Sequence, residues 1–410
     1  MHLGKVIALQ SILVLPVLLN VGGSQNAGAE SDAKLQERAN RLAHEFLLLD
    51  THLDTPYEVR KKGYDISIRA DQGHFDYVRA RQGGLDALFM AVYIPPEYEE
   101  KGGAKALADE TIDLVESFGR KCPDKFVVVS SIEEIRRQFG SGRISILLGM
   151  ENGSALEGNL ANLKHFYDRG IRYVTLTHSK NNHICDSSFD DGPKWHGLSP
   201  FGRELIAEMN RLGMMIDVSH ASDEAFYQIL ELSKAPVVAT HSACRHFTPG
   251  WHRNMNDEMI RLLAQKGGVI QVNFGSMFVS SAVNREAESL RQEVRQYVQA
   301  HNLQGQDKDR YIEQCWQQAQ FSKATISDVV ANIDHIVKLV GIEQVGLGSD
   351  FDGVSQVPQG LEDVSCYPNL LCELLKRGYR EQHIRRLCGE NFLRVWAEVQ
   401  QAATTGRPRK

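Results

Sequence analysis

The chain has 410 residues, 42% of them hydrophobic and 24% charged, a balance that excludes wholesale disorder or coiled coil. Its formal net charge of −6 leaves no basic footprint, so nucleic acid is not an expected partner. The length fits one large α/β barrel with insertions.

In chain order, Lys5 precedes a largely apolar stretch over 6–21 that contains Pro16, and Ala27-Gly28-Ala29 follows. This is the form of a signal peptide over 1–29 with cleavage near Ala29, which predicts export to the periplasm or beyond the cell. The alternative, a retained membrane anchor, requires a longer uninterrupted run. Residues 30–400 then form a single predicted domain, and 401–410 a flexible tail. That tail is polar and basic, so no GPI signal is expected. Seven cysteines occur without a C-x-x-C pair, which argues against a thiolate zinc site or a redox motif. Cys185 and Cys244 are expected as small packing residues.

Short apolar runs at 45–51, 87–94, 144–150, 172–177, 214–219, 236–241, 268–274 and 344–349 predict strands. Amphipathic stretches at 104–118, 159–169, 200–212, 222–234, 256–266 and 325–340 predict helices between them. Continuous apolar strands alternating with helices imply a parallel sheet covered on both faces. Eight of them predict a (β/α)₈ TIM barrel, with a doubly wound sheet as the runner-up. Two connections are long: 55–85 after the first strand, and 276–323 after the seventh, where 285–320 is polar and helical. Such βα loops act as lids or oligomer contacts, and a homodimer is one expected assembly.

Metal-type side chains fall where these runs end: His52 and Asp54, Glu151, His178, His220, His241, and then Asp350 and Asp352. Six of the eight predicted strands thus deliver a His, Asp or Glu to the end where barrels place their active sites. His52 and Asp54 are two apart, so an extended chain points both the same way. Imidazoles and carboxylates without thiolates suit zinc, with manganese or cobalt as alternatives. They are too many for one tetrahedral catalytic ion with an open position, and suit two metals.

The stretches Asp50-Thr51-His52-Leu53-Asp54, Gly149-Met150-Glu151-Asn152-Gly153, Thr177-His178-Ser179, Asp217-Val218-Ser219-His220, Thr240-His241-Ser242, Arg253-Asn254 and Gly348-Ser349-Asp350-Phe351-Asp352 carry a specific resemblance. In order and spacing, from about residue 45 to 395, the sequence resembles the membrane dipeptidase (renal dipeptidase) family of zinc dipeptidases, a branch of the amidohydrolase-like barrels. The resemblance implies two Zn²⁺ ions and hydrolysis of dipeptides, including those with a C-terminal D-residue. It implies that His52 and Asp54 bind one ion, His220 and His241 the other, and that Glu151 bridges them. His178 would stabilise the oxyanion and Arg253 would pair with the substrate carboxylate. Asp350 would handle a proton or bind the substrate's amino group, with Asp352 as its competitor. A metal-bridging hydroxide would attack the peptide carbonyl. The segment 273–278 lacks the Tyr of mammalian members, and Phe278 is the candidate for its place. His183 is expected as a solvated loop residue. The rival readings are another metal hydrolase of this barrel class (a lactonase, phosphotriesterase or amidase) and a non-catalytic exported binding protein.

Overall fold

The computed structural model describes residues 31–405, so the leader expected over 1–29 lies outside the described residues. The strands are β1 (Leu48–Leu53), β2 (Leu85–Tyr93), β3 (Phe126–Val128), β4 (Ile144–Glu151), β5 (Ile171–Thr175), β6 (Met215–Asp217), β7 (Val238–Ser242), β8 (Val269–Val272) and β9 (Val345–Leu347). Each of the eight predicted runs overlaps one of them. The additional strand, β3, is only three residues long, too short to show a period.

All pairings between these strands are parallel, in the order β1-β2-β4-β5-β6-β7-β8-β9. β3 stands off this path and pairs with the first half of β4, while β5 takes the second half. The seam is closed past the end of β9. Phe351 bridges Leu53 in parallel, Asp54 N–H donates to Phe351 O at 2.9 Å and Asp350 N–H donates to His52 O at 3.1 Å. The result is a nearly closed barrel ringed by helices.

Side chains alternate across the sheet, as the strand period demands. Ile146 and Leu148 of β4 belong to the large core beneath the outer helices, whereas Leu147 joins Leu49, Ala87, Phe89, Tyr173, Met215, Val238 and Val269 in a second, inner core. The closing helix, Asn391–Thr405, completes that inner core with Phe392, Val395, Trp396 and Val399. Phe89 packs against Tyr173 on one side and against Phe392 and Trp396 on the other, with ring centroids 5.2, 5.5 and 6.0 Å apart. The interior is a filled core, as barrels of this size require. The closing helix runs past the boundary expected at 400, so 401–405 are helical, and 406–410 lie outside the described residues.

Both long connections are structured. The first carries helices Thr55–Lys62 and Tyr77–Gly83. The second carries a short turn of helix, Ser276–Val279, and two long helices, Ser281–Ala300 and Gly305–Gln318. All seven cysteines are unpaired thiols. Among the described residues no helix is long and apolar enough to cross a membrane.

Trp396 is fully buried at the centre of the inner core. Trp396→Ala is therefore expected to cost about 3–5 kcal/mol of stability, read as a lowered midpoint in urea unfolding.

Candidate active site

The sequence-predicted site residues converge on the C-terminal rim of the barrel. His52 lies in β1 and Asp54 directly after it, Glu151 ends β4, and His241 lies in β7. His178, His220 and Asp350 stand three residues beyond the ends of β5, β6 and β9. The last two turn back toward the rim through left-handed backbone, with φ of 68° at His220 and 62° at Asp350. Non-glycine residues hold that conformation only where the surroundings impose it.

Glu151 is the centre, and its two oxygens face different partners. Oε2 lies 3.5 Å from His52 Nε2, which is itself 3.4 Å from Asp54 Oδ2. Oε1 lies 3.2 Å from His220 Nε2 and 3.3 Å from His241 Nε2. The two imidazole nitrogens on that side are 3.0 Å apart. His178 Nε2 approaches the same oxygen at 3.7 Å. His52, Asp54 and Asp350 form a further convergent group. A side chain at Gly353 would fall 2.2 Å from Asp54 Oδ2 and 2.3 Å from Asp350 Oδ1, so only glycine lets both carboxylates stand there.

The protons on two of these imidazoles follow from their neighbours. The Tyr173 hydroxyl donates to Thr51 O at 3.1 Å, so its oxygen accepts from His52 Nδ1–H at 2.8 Å. The Thr240 hydroxyl donates to Asp217 Oδ2 at 2.6 Å and accepts from His241 Nδ1–H at 2.8 Å. Asp217 also receives the Thr175 hydroxyl at 2.5 Å. With Nδ1 engaged beneath the rim, each ring turns Nε2 toward Glu151, the usual way a metal-binding His is oriented. His52 Nε2 is buried and without a hydrogen-bond partner. An orphaned buried acceptor among carboxylates and imidazoles fits a divalent cation, and the donor set suits zinc.

The electrostatics agree. Burial would push the Glu151 carboxyl up, yet His52, His178, His220 and His241 hold it well below the usual carboxylate range. Burial, reinforced by the Glu151 charge, raises Asp54 to about 6. His52 is raised well above the ordinary imidazole value: the pull of Tyr173, Glu151 and Asp54 outweighs its burial. His241 falls to about 3 through burial and the neighbouring His52. The cluster thus holds its negative charge at Glu151 and its protons at the His52–Asp54 side.

Asp350 and Asp352 are separated by their partners. Asp350 accepts from Asn273 Nδ2 at 2.6 Å and faces the cavity. Both oxygens of Asp352 are taken by the loop after β1, Oδ1 by His74 N–H and Oδ2 by the Thr55 hydroxyl, each at 2.6 Å. Arg253 is 3% exposed, not a surface residue at a helix start. Its fork donates to His241 O at 2.8 Å and Ser242 Oγ at 3.1 Å, its Nε has no partner, and its guanidinium stands 5.3 Å from the Phe278 ring. Burial lowers it to about 10. Phe278 and His178 are in the cavity wall; Arg253 is not, and stands behind the Phe278 ring. His183 departs from expectation: it is half-buried, accepting from Gly158 N–H at 3.1 Å and donating to Glu99. Cys185 and Cys244 are buried in the core. Sequence reasoning gave no role to Tyr173, Asp217 or Asn273. A polar side chain inside a buried apolar run was the available signal for the first two.

A parallel eight-stranded barrel with imidazoles and carboxylates gathered at its C-terminal rim defines a TIM barrel with a candidate metal centre. Residues 36–409 match the membrane dipeptidase family, peptidase family M19, and the chain belongs to that family. It is 32% identical over 340 residues to the dipeptidase tcpJ of Claviceps purpurea, spanning 81% of this chain and 71% of that one. It is 33% identical over 387 residues to an uncharacterised dipeptidase of Schizosaccharomyces pombe, spanning 90% and 84%. Its fold is similar to the probable dipeptidase PvdM from Pseudomonas aeruginosa (TM-score 0.81, 29% identity, 90% of this chain and 100% of that one). It is also similar to a metallopeptidase from Rhodobacter sphaeroides liganded with a phosphinate mimic of the dipeptide L-Ala-D-Ala (TM-score 0.71, 25% identity, 86% and 99%).

Two outcomes follow from this geometry. Metal binding must displace protons from His52 and Asp54. Both groups have raised values, so affinity is greatest above both and falls as pH drops, first as His52 gains its proton and then through about 6 as Asp54 does. Chelator competition at pH 7.5 and 5.5 should show a loss of about tenfold or more. Tyr173→Phe removes the acceptor that orients His52 and should weaken metal binding by about 10–100-fold, measured by the same competition.

Proposed function

We propose that the chain is a dinuclear zinc dipeptidase that hydrolyses the peptide bond of dipeptides, including those with a C-terminal D-residue. The observation that carries this reading is the division of Glu151, with one oxygen toward His52 and Asp54 and the other toward His220 and His241. These five residues would hold the two ions. Zinc bound there would lower the pKa of a water and polarise the scissile carbonyl.

The chain's own groups divide the remaining work. His178 is pushed down by burial, so it is a neutral imidazole. Its N–H can donate to the oxygen that gains charge as the carbonyl becomes tetrahedral. Asp350 is raised well above the usual carboxylate range by burial and is fixed by Asn273. It is suited to take a proton from the attacking water and return it to the leaving amine. Arg253 offers a buried cationic fork for the free carboxylate of the substrate. A carboxylate requirement favours a dipeptide over a lactone or phosphotriester. The dipeptidase relatives support the substrate class, and the phosphinate complex of the Rhodobacter sphaeroides protein supports acceptance of a C-terminal D-residue. The leader-like residues 1–29 support export, so the enzyme would act in the periplasm or outside the cell.

Glu151→Gln should lose metal content and activity together; a variant retaining two ions and full turnover would remove the bridging assignment. Asp350→Asn should lower kcat by about 10²–10⁴-fold with little change in KM. Asp352→Asn should instead lower thermal stability, since it loosens the loop after β1. Steady-state kinetics on L-Ala-D-Ala and a melting curve separate the two carboxylates.

A further inference from the structure

A second gathering of metal-type side chains lies apart from the Glu151 cluster. His246, Asp257 and His335 each offer a ligand atom, and the three atoms lie within 4.8 Å of one another. None of the three lines the cavity over Glu151. They come from three separate elements. His246 stands on the short turn Arg245–Phe247 after β7, Asp257 opens the helix Asp257–Gln265, and His335 lies on the helix Ile326–Val340 that precedes β9.

Packing brings these elements together. His335 follows Asn332 by three positions, so both lie on one face of their helix. The buried Asn332 side chain accepts from Cys244 N–H at 3.0 Å and donates to Val279 O at 3.2 Å, which docks that face beside the segment carrying His246. His335 Nε2 is then 2.7 Å from Asp257 Oδ1, with side-chain exposures of 13% and 38%. The His246 ring lies face to face with that of His335, the centroids 4.2 Å and the planes 18° apart. Phe247 packs on both rings, 4.9 Å from the first and 5.8 Å from the second. Arg261 approaches Asp257 at 3.9 Å through Oδ2, and Oδ1 is the oxygen turned to His335.

Two imidazoles and one carboxylate are a ligand set that zinc accepts, with water in the fourth position, and one that magnesium and calcium do not favour. Ligand atoms about 2.1 Å from one ion are at most about 4.2 Å apart. The movement that closes the set from 4.8 Å is small, and the exposed His246 side chain is able to make it. We propose that His246, Asp257 and His335 form a peripheral site for one zinc ion, which pins the segment after β7 to both outer helices. That segment goes on to Arg253, whose fork holds its inner side to His241 O; the ion would hold its outer side. The proposal does not rest on the dipeptidase reading, because the site shares no residue with the Glu151 cluster.

The test is equilibrium dialysis of the full chain against saturating Zn²⁺, with the metal counted per chain. Wild type should hold one more zinc than His246→Ala and one more than His335→Gln. His246 is exposed, so its removal leaves the core intact should the His335 variant fold poorly. Asp257→Asn keeps the shape, removes the charge and should weaken the additional equivalent by about tenfold or more. The rise in melting temperature on adding zinc should be greater in wild type than in His246→Ala by about 2 °C or more. Glu151→Gln should keep the equivalent that His246→Ala removes. Equal zinc content in wild type and both His variants overturns the site, whatever the rim holds. Loss of that equivalent from Glu151→Gln assigns it to the rim and overturns the site as well. A difference in content with no difference in melting overturns the pinning.

Discussion

A carboxylate at the end of a central strand, 3% exposed and surrounded by four imidazoles, sets the terms for the rest of this molecule. A buried charge is tolerated only when it is paired and hydrogen-bonded, and Glu151 has no lysine or arginine against it. Its compensation comes from rings delivered by four other strands. Two of these rings, His52 and His241, are set with Nε2 foremost by hydroxyls beneath the rim, and buried carboxylates hold the layer in which those hydroxyls lie. Asp217 receives two threonine hydroxyls. Asp50, buried below His52, accepts the Tyr367 hydroxyl at 2.5 Å and the His52 and Ser349 backbone amides.

This layer also joins the site to the hydrophobic interior. The Tyr173 ring is part of the inner core, packed on Phe89, and its hydroxyl orients His52. Phe89 in turn rests on the closing helix through Phe392 and Trp396. A short line of packed rings thus runs from the helix that fills the barrel floor to a nitrogen at its mouth. Rigidity at the mouth comes from close packing below it, because a dense interior does not deform continuously.

Much of this was legible in the sequence, for a physical reason. Parallel strands buried on both faces must be continuously apolar, so a His, Asp or Glu at the end of such a run stands out. The eight runs and the rim residues on them were visible this way. β3 was not: its short apolar stretch ends in Ser130 and Ser131, with no His, Asp or Glu to mark it. Position alone favours Asp350 over Asp352 only as the one nearer the end of the last strand. Their partners separate them: Asn273 donates to Asp350, while Thr55 and His74 occupy both oxygens of Asp352. Tyr173, Asp217 and Asn273 act through neighbours distant in sequence, which no local pattern encodes. The helical character of 285–320 was evident, but the return of Phe321 to the cavity depends on how two helices fold back.

The seam between β1 and β9 has a temporal side. His52 and Asp54 lie near the start of the folded chain, and the groups that close the barrel around them, Ser349 to Phe351 and then Tyr367, come about 300 positions later. Contacts that distant form late, because the intervening chain must first be ordered. Until β9 docks, β1 has an open edge, and His52 O and Asp54 N–H lack the partners that Asp350 and Phe351 supply. The half of the cluster built on His52 and Asp54 is completed only when the last strand docks. The last strand thus completes a side of the cluster that the first strand begins.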